Sequence, residues 1–566
     1  MMRAVLLLAL AVLLVSACRE ISETAPSSTA GPVSTPLSPA TPTAPSTPEP
    51  GAVLSATPTT ATHPPSAATA TPVSQRSGRL AIATRVVLDD LDVHRASAPS
   101  LAAFGPGIVY SRLLRFASGP DVRTPSLALE CDLCESWVWE DSATLRVTLR
   151  QGVRWQSAAP VNGRALSPHD VTASLMRQRT AGWPHAGLLA NVASVAVRGN
   201  DVVFTLRSPD ADFPLALADG HTKVLPSELA AMDDLGVGPF IGTGPWVIGE
   251  VRPDHRYTFT PNPAYFEPGF PLLESLVIRV LPEDDVRGAA FLTQSLDVDE
   301  VTPEYFETYR ERNPQAGFVR YEPPGGGSEL ALNVNDPVLR DPAVRRALFM
   351  ALDPWSLNSQ VWHGLAEVTG GMPSPSPDWR LSEAELRGLL ADPVAARELL
   401  ESAGSPPTTL ELLVADFGDR HLTYSRGIHE QLRQIGVRVE VRDLNPQEYA
   451  DRVWRQGDFQ AYLGPLPPMN APNSYLIGLV RSGSAGNKTG YGTSALDGLV
   501  DAQAGELDPA VRRGIAREAA LMLLEEGVRF TPAAQAQVWG WWPRVKGLHV
   551  NFANREYHFW SRVWVE

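Results

Sequence analysis

LCESWVWEDSATLRVTLRQGVRW, residues 133–155, is the stretch that decides the fold of this chain. Within it, Thr144–Leu149 alternates polar and apolar side chains, and this period of two predicts a β strand with one buried face. A helix is predicted after the next loop, because Ser167 is a good N-cap, Pro168 suits the first helical position and Val171 continues an apolar face.

A complete βαβ unit is predicted farther along the chain. Leu410 to Val414 alternates as a strand, Tyr424 to Ile435 places apolar residues on one helical face, and Val437 to Val441 alternates again. Another helix is predicted to start at Asp341 and Pro342, an N-cap followed by proline. Strands joined through a helix indicate an α/β protein with a parallel sheet.

Size and charge limit the class of protein. The chain has 566 residues, which is too long for one hydrophobic core, so two or more domains are expected. Its formal net charge of −15 argues against nucleic acid as a partner, because phosphate binding needs clustered Lys and Arg.

The N-terminus is typical of an exported protein. Arg3 precedes the apolar run Ala4–Val15, which is too short to span a bilayer and ends at the small residues Ser16 and Ala17. The sequence VSAC, ending at Cys18, resembles the lipobox of bacterial lipoproteins, which implies a signal peptide over 1–17 and a lipid anchor on Cys18. The alternative is a plain signal peptide with an incidental cysteine.

Residues 18–77 are rich in Ser, Thr, Pro and Ala. Such a segment buries too little apolar area to offset its ordering entropy, so a disordered, extended tether is predicted. A stalk carrying O-linked sugars is the alternative.

Two further cysteines, Cys131 and Cys134, form a single C-x-x-C pair. One pair supplies two ligands where a structural zinc site needs four, so a disulfide or two free thiols are expected rather than a metal. No metal and no cofactor are predicted anywhere in the chain.

Several motifs in order resemble one protein family. GTGPW at 242–246 and NPAYF at 262–266 belong to this set, and 156–158 departs from the family pattern. The matching residues within the opening stretch and its helix are Glu135, Ser136, Trp137, Leu149, Arg150, Gly152, Val153, Trp155, Pro160, Asp170 and Val171. Together they resemble the extracytoplasmic solute-binding proteins of ABC importers, in the peptide, nickel and oligosaccharide binding family (family 5).

The resemblance implies a two-lobed α/β periplasmic-binding-protein-like fold of the class II, cluster C type, with a hinge and an extra subdomain. The first lobe is expected over 78–323 and 530–566, with the subdomain near 120–205, and the second lobe over 328–529. Gly325, Gly326 and Gly327 are the predicted hinge, since glycine permits large backbone rotations; an ordinary surface loop is the alternative.

The resemblance also implies a function. A monomeric binding protein, not an enzyme, would capture a small solute between its lobes and deliver it to ABC permease subunits at the outer face of the cell membrane. In peptide binders of the family, an Asp in a D-P motif pairs with the peptide's α-amino group, and that position here is Ala471. Asp92, Asp299 or Asp416 could substitute, and an oligosaccharide or other non-peptide solute is the alternative.

The candidate solute-binding residues combine aromatic rings with one amide. Trp and Tyr faces stack on sugar rings or apolar side chains, and an Asn side chain can hydrogen-bond a solute. The candidates are Tyr110, Trp155, Asn470, Tyr491 and Trp539. Packing in a hydrophobic core is the alternative for each aromatic residue.

Other classes of function fit the sequence less well. An exported hydrolase is disfavoured because neither G-x-S-x-G nor H-E-x-x-H occurs. His421 and His429 read as a solvated or satisfied pair rather than a metal site. A lipoprotein that keeps the binding fold but serves as a sensor or chaperone without a transporter stays open.

Overall fold

The computed structural model describes residues 77–98, 101–321, 327–374, 376–403, 408–415, 419–466, 471–549, 551 and 558–566. The predictions for Cys18, the tether as far as residue 76, Gly325, Gly326, Asp416 and Asn470 lie outside these ranges. None of the described helices is long and apolar enough to cross a bilayer.

The first lobe is built on a four-stranded sheet. Its two parallel strands align Leu80 with Leu276 and Ile82 with Ile278, so the apolar side chains of both strands lie in one core. The strands, in spatial order, are Arg79–Thr84, Ser275–Val280, Arg256–Pro261 and Trp246–Arg252.

The opening stretch of the sequence forms an antiparallel sheet within the first lobe. The predicted strand Thr144–Leu149 is confirmed, with Leu145, Val147 and Leu149 buried. The predicted helix is also confirmed as Pro168–Gln178. This sheet has the order Cys134–Asp141, Thr144–Leu149, Asp201–Leu206, Val192–Arg198.

A third, three-stranded sheet carries the chain to and from the second lobe. Gly317–Tyr321 leads out of the first lobe, and Gln537–Trp541 returns to it between Gly317–Tyr321 and Val298–Val301. The strand Arg529–Gln535 still belongs to the second lobe. The return crossing therefore follows residue 535, a few residues later than the boundary expected from the sequence.

The second lobe surrounds a six-stranded mixed sheet. The predicted βαβ unit is confirmed, because Thr409–Ala415 and Arg438–Leu444 are parallel neighbours joined by the helix Asp419–Arg433. The sheet order is Ala366–Glu367, Arg529–Gln535, Gly327–Leu332, Ala461–Leu466, Thr409–Ala415, Arg438–Leu444.

The remaining elements connect and cover these sheets. Two short strand pairs are Leu114–Phe116 with Leu129–Cys131 and Val545–Lys546 with Trp564–Val565. The other described helices are Leu101–Phe104, Pro106–Val109, Ala186–Leu189, Phe213–Leu217, Ser227–Ala230, Asp284–Leu292, Pro303–Arg312, Pro342–Met350, Pro354–Trp362, Pro377–Trp379, Glu383–Arg387, Pro393–Ser402, Pro446–Tyr449, Ala450–Gln456, Pro472–Tyr475, Leu476–Val480, Ser494–Gly505, Pro509–Glu525 and His558–Ser561.

In the sequence, Ala102–Leu114 reads as a possible helix, but the structure does not form one continuous helix there. The chain forms a short helix, Leu101–Phe104, and then a separate 3₁₀ turn, Pro106–Val109. Pro106 lacks the N–H that a continuous helix needs. Gly107 also packs so closely on the preceding turn that a Cβ would lie 2.5 Å from the carbonyl oxygen of Leu101.

Four helices of the second lobe begin with Asp-Pro, and in each the Asp carboxylate caps the first turn. The capped N–H groups lie 2.8 to 3.0 Å from the carboxylates of Asp341, Asp353, Asp392 and Asp508. The helix Pro472–Tyr475 begins instead with Ala471, whose side chain makes no such bond.

Candidate functional site

One edge of the second-lobe sheet faces the crossings to the first lobe, and we call it the hinge edge. Ala415 and Leu444 end parallel strands there, and Gly327 pairs with Leu466. Gln535 ends its strand at the same edge, just before the chain returns to the first lobe. Ligands of α/β proteins bind outside the carboxyl ends of parallel strands, so the hinge edge is the candidate binding surface of this lobe.

Polar and aromatic side chains meet at the hinge edge. Ser328 Oγ and His421 Nε2 lie 3.0 Å apart, within hydrogen-bond distance. The indole of Trp362 packs edge-on against His421 with ring centroids 6.3 Å apart, and the guanidinium of Arg420 lies 4.9 Å from the same indole. This group combines hydrogen-bonding side chains, an aromatic ring and a positive charge, with Ser328 and Trp362 buried and with Arg420 and His421 partly exposed.

The ionisation of His421 follows from its surroundings. Burial, assisted by the positive charge of Arg420, lowers its pKa to about 4. The imidazole is therefore neutral at pH 7 and can donate one hydrogen bond and accept another.

Three charged side chains in contact link the two lobes beside the hinge edge. Arg320, on the strand that leaves the first lobe, places Nη2 3.2 Å from Glu367 Oε1 in the second lobe. Arg380 Nη1 donates to the other oxygen of Glu367 at 3.0 Å. Glu367 thus links the two lobes at the hinge through paired charges.

The lobes meet a second time in a buried group that we call the interlobe network. The backbone N–H of Asn473 donates to Asp212 Oδ2 at 2.7 Å, and its side-chain amide donates to Asp210 Oδ1 at 2.7 Å. Arg512 forms an ion pair with Asp212, and Gln503 Nε2 donates to Asn473 Oδ1 at 2.7 Å. The two aspartates belong to the first lobe and the other three residues to the second.

Burial makes the interlobe network electrostatically strong. Asp212 and Arg512 are each only 5% exposed, so water screens their attraction weakly. Asp210 has a raised pKa because it is desolvated and because the negative charge of Asp212 is close.

A second buried pair, Glu329 with Arg529, lies inside the second lobe. The hydroxyl of Tyr462 donates to Glu329 Oε2, and the hydroxyl of Tyr475 donates to Oε1 at 3.1 Å. Arg529 Nε lies 3.5 Å from Glu329 Oε1, and Arg529 Nη1 donates to the carbonyl of Leu479 at 2.8 Å. Sequence reasoning missed this pair, since nothing in the pattern marks one Glu as buried.

Three of the predicted solute-binding residues lie in the core of the first lobe. Tyr110 is 4% exposed, Trp155 0% and Trp539 3%. The ring of Trp539 stacks on Phe104 with centroids 6.3 Å apart, and the guanidinium of Arg164 lies 6.0 Å from the ring of Trp155. Core packing, the alternative left open above, describes all three, and Trp155 has no surface that a solute could reach in this form of the chain.

Tyr491 lies away from the hinge edge. The carbonyl of Thr489, two residues before it, accepts a hydrogen bond of 2.9 Å from Val334, just beyond the far end of the strand Gly327–Leu332. Its partly buried ring packs against the second-lobe core. The structure therefore places Tyr491 at the opposite end of the sheet from the candidate binding surface.

Gly327, the described member of the predicted hinge, opens a strand. Its φ is 152°, and a Cβ there would lie 2.8 Å from the carbonyl oxygen of Ala533. Close approach of the neighbouring strand requires glycine here, and the hinge role of Gly325–Gly327 stays a prediction.

The two cysteines and the two substitute acids have defined partners. Cys131 and Cys134 are joined by a disulfide with their Cα atoms 5.0 Å apart. Asp92 is fully buried and accepts two hydrogen bonds from Arg177, the first at 2.8 Å. Asp299 is also buried, 3.4 Å from Arg287 Nε, and burial raises its pKa to about 6. Neither carboxylate is presented at the hinge edge.

Comparisons with known proteins agree with this architecture. The model of the bacterial extracellular solute-binding proteins, family 5 middle, matches residues 128–488. The chain therefore belongs to this family, and its fold is the two-lobed periplasmic-binding-protein fold. The structure of HbpA2 from Haemophilus parasuis superposes with a TM-score of 0.74 at 21% identity, covering 86% of this chain and 100% of that one.

Among curated relatives, a probable di/tripeptide-binding protein 5 of Pseudomonas aeruginosa is 27% identical over 350 residues, 58% of this chain and 64% of that protein. The glutathione-binding protein GsiB of Escherichia coli is 26% identical over 332 residues, 57% of this chain and 63% of that protein. The matches thus span less than two thirds of either relative. Both relatives are binding proteins by name, which supports a substrate-binding role.

Proposed function

We propose that this chain is the membrane-anchored substrate-binding lipoprotein of an ABC importer and captures a peptide or a similar solute between its lobes. The observation that carries the proposal is the hinge edge, where Ser328, His421 and Trp362 meet beside the crossings to the first lobe. A solute that contacts both lobes favours the closed form, which then delivers it to a permease.

The solute class follows from Ala471. A methyl group cannot pair with an ammonium, so we propose that binding does not depend on a free α-amino group. This feature also favours a second candidate, an oligosaccharide or another non-peptide solute held by the same surface. The relatives named for peptides and glutathione support the peptide reading first.

Calorimetric titration with two tripeptides of one sequence, free and N-acetylated, tests the solute class. Acetylation is expected to change Kd by less than about tenfold, since about 1.4 kcal/mol corresponds to that factor and no ion pair is lost. A preference for the free peptide of about a hundredfold or more would contradict this expectation. Titration with an oligosaccharide in the same series tests the second candidate, because that solute should then bind more tightly than either peptide.

Substitution of two histidines on one helix, each followed by a measurement of solute binding, tests where the solute binds. Replacing His421→Gln is expected to weaken binding at least about tenfold, because the group beside Ser328 is lost. His429→Gln is the matched control, since His429 Nδ1 lies 3.0 Å from the carbonyl of Val439 rather than at the hinge edge. Equal losses in both variants would place the solute elsewhere.

The lipid anchor rests on Cys18 and its resemblance to a lipobox. Cys18→Ser is expected to release the protein from membranes, because the thiol that would carry the acyl chains is gone. Membrane sedimentation of both forms is the measurement. Continued sedimentation of the variant with membranes would contradict the anchor.

A further inference from the structure

The helix Pro472–Tyr475 obtains its cap from the other lobe. Asn473 is its second residue, and the N–H of Asn473 donates to Asp212 Oδ2 at 2.7 Å. In the helix that starts at Pro509, the corresponding N–H of Ala510 donates to Asp508 at 2.8 Å within the same lobe. Asp212 therefore does across the lobe boundary what Asp508 does within one lobe.

The same carboxylate is neutralised by the second lobe. Arg512 is paired with Asp212, and its Nε donates to the carbonyl of Gln503 at 2.9 Å. Next to them, the backbone N–H of Ala211 donates to the carbonyl of Ala504 at 2.7 Å. Separation of the lobes would break all the bonds that cross this boundary together.

We propose that Asp212 is a latch that holds the two lobes closed. Its carboxylate caps the helix at Asn473 and neutralises Arg512 only when the lobes are in contact. Ala471 belongs to the same device, because an Asp there would cap the helix from within the second lobe and repel Asp212. The proposal rests on the hinge closure of the proposed function and adds the residue that sets the balance between open and closed forms.

Single-molecule energy transfer between the lobes tests the latch without any solute. The full-length chain with Cys18→Ser carries dyes at Val197→Cys and Val394→Cys, two exposed positions, one in each lobe (48% and 70% exposed). In Asp212→Ala the ratio of closed to open molecules is expected to fall at least about tenfold, because Arg512 would lose its buried partner.

Three further variants make the result specific. Asp212→Asn keeps the shape of the side chain and is expected to open the lobes as well, since it removes the charge. Ala471→Asp should open them through repulsion of Asp212. Asp508→Ala removes a helix cap with no contact to the first lobe and should leave the distance unchanged. Each variant is first checked by circular dichroism for a wild-type content of helix.

The outcomes separate the latch from the proposed function. A distance distribution in Asp212→Ala and Asp212→Asn identical to that of the wild type overturns the latch, whatever solutes do. A shift to longer distances in these variants and in Ala471→Asp, absent in Asp508→Ala, supports it. A wild-type chain that binds no solute, while Asp212→Ala still opens the lobes, contradicts the proposed function and leaves the latch supported.

Discussion

Two buried carboxylate–guanidinium pairs of this protein use similar chemistry in different places. Glu329 and Arg529 lie on neighbouring strands of one sheet, and two tyrosine hydroxyls complete the carboxylate's hydrogen bonds. Asp212 and Arg512 come from different lobes. The first pair can be separated only by unfolding the second lobe, whereas the second can be separated by moving the lobes apart.

This difference decides what each pair controls. Breaking a buried pair by removing one partner leaves an uncompensated charge, which is costly only as long as the charge stays buried. Arg529 has no route to water in the folded lobe, whereas Arg512 is expected to reach water when the lobes open. The pair inside one lobe should therefore act on stability, and the pair between lobes on closure.

The largest effect is expected from Glu329→Ala. It leaves Arg529 buried without its carboxylate, so the free energy of unfolding should fall by about 3–5 kcal/mol. Urea denaturation followed by tryptophan fluorescence measures this, and the distance between the lobes should stay unchanged. Replacing both partners, as Glu329→Leu with Arg529→Met, should recover only part of the loss, because the buried hydroxyls of Tyr462 and Tyr475 would lack their acceptor; a loss below about 1 kcal/mol in the single variant would contradict the account.

Asp212→Ala should cost less, about 1–2 kcal/mol in the free energy of unfolding, roughly the value of a lost N-cap. The open form lets water solvate Arg512, which limits the penalty. The same denaturation experiment measures it beside Glu329→Ala. Losses of equal size in the two variants would remove the distinction between a pair within one lobe and a pair between lobes.

Asp508→Ala tests whether the loss of a helix cap alone changes the closure of the lobes. Loss of this cap, which bonds the N–H of Ala510 at 2.8 Å, should cost about 1 kcal/mol of stability. Because Asp508 is exposed and its bonds stay within the second lobe, closure should not change. Opening of the lobes in this variant would mean that any weakened helix start, rather than Asp212, controls the distance.

The smallest effect is a dependence of closure on pH through Asp210. Burial, assisted by the nearby charge of Asp212, raises its pKa above the ordinary 3.8 while the lobes are in contact. In the open form we expect water to solvate Asp210 and bring its pKa back toward 3.8, so that the closed form binds the proton more tightly. Closure is therefore favoured at low pH, and that contribution is lost as the pH rises through the raised pKa. Asn473, Asn191 and Asp212 are its polar neighbours.

Energy transfer measured in a series from pH 7 downward checks this prediction. The closed fraction of the wild type should rise as the pH falls toward the raised pKa of Asp210, whereas Asp210→Asn, which mimics the protonated acid, should lack this rise. A fall in the closed fraction over the series in both proteins would show that other groups dominate.

Local elements of the fold could be predicted from the sequence because their causes are local. Ser167 and Pro168 marked the start of the helix Pro168–Gln178, and the alternation of polar and apolar residues predicted the strand Thr144–Leu149. The error at Ala102–Leu114 arose where an apolar pattern contained Gly105 and Pro106, whose backbone preferences outweigh it.

The candidate site could be predicted only in part, since its contacts join distant positions. Asp212 and Asn473 are 261 residues apart. One signal was available: four helices begin with Asp-Pro, whereas the helix after Ala471 lacks the Asp, so its cap had to come from elsewhere. Three of the aromatic candidates lie in the core of the first lobe, because Trp and Tyr serve cores as readily as clefts.

The most direct test of solute capture is native mass spectrometry of the protein purified from its own envelope without unfolding. The account predicts an added mass that disappears when the chain is unfolded and refolded, and that returns when the released material is added back. A wild-type chain that carries no added mass and gains none from peptide or oligosaccharide mixtures would contradict it.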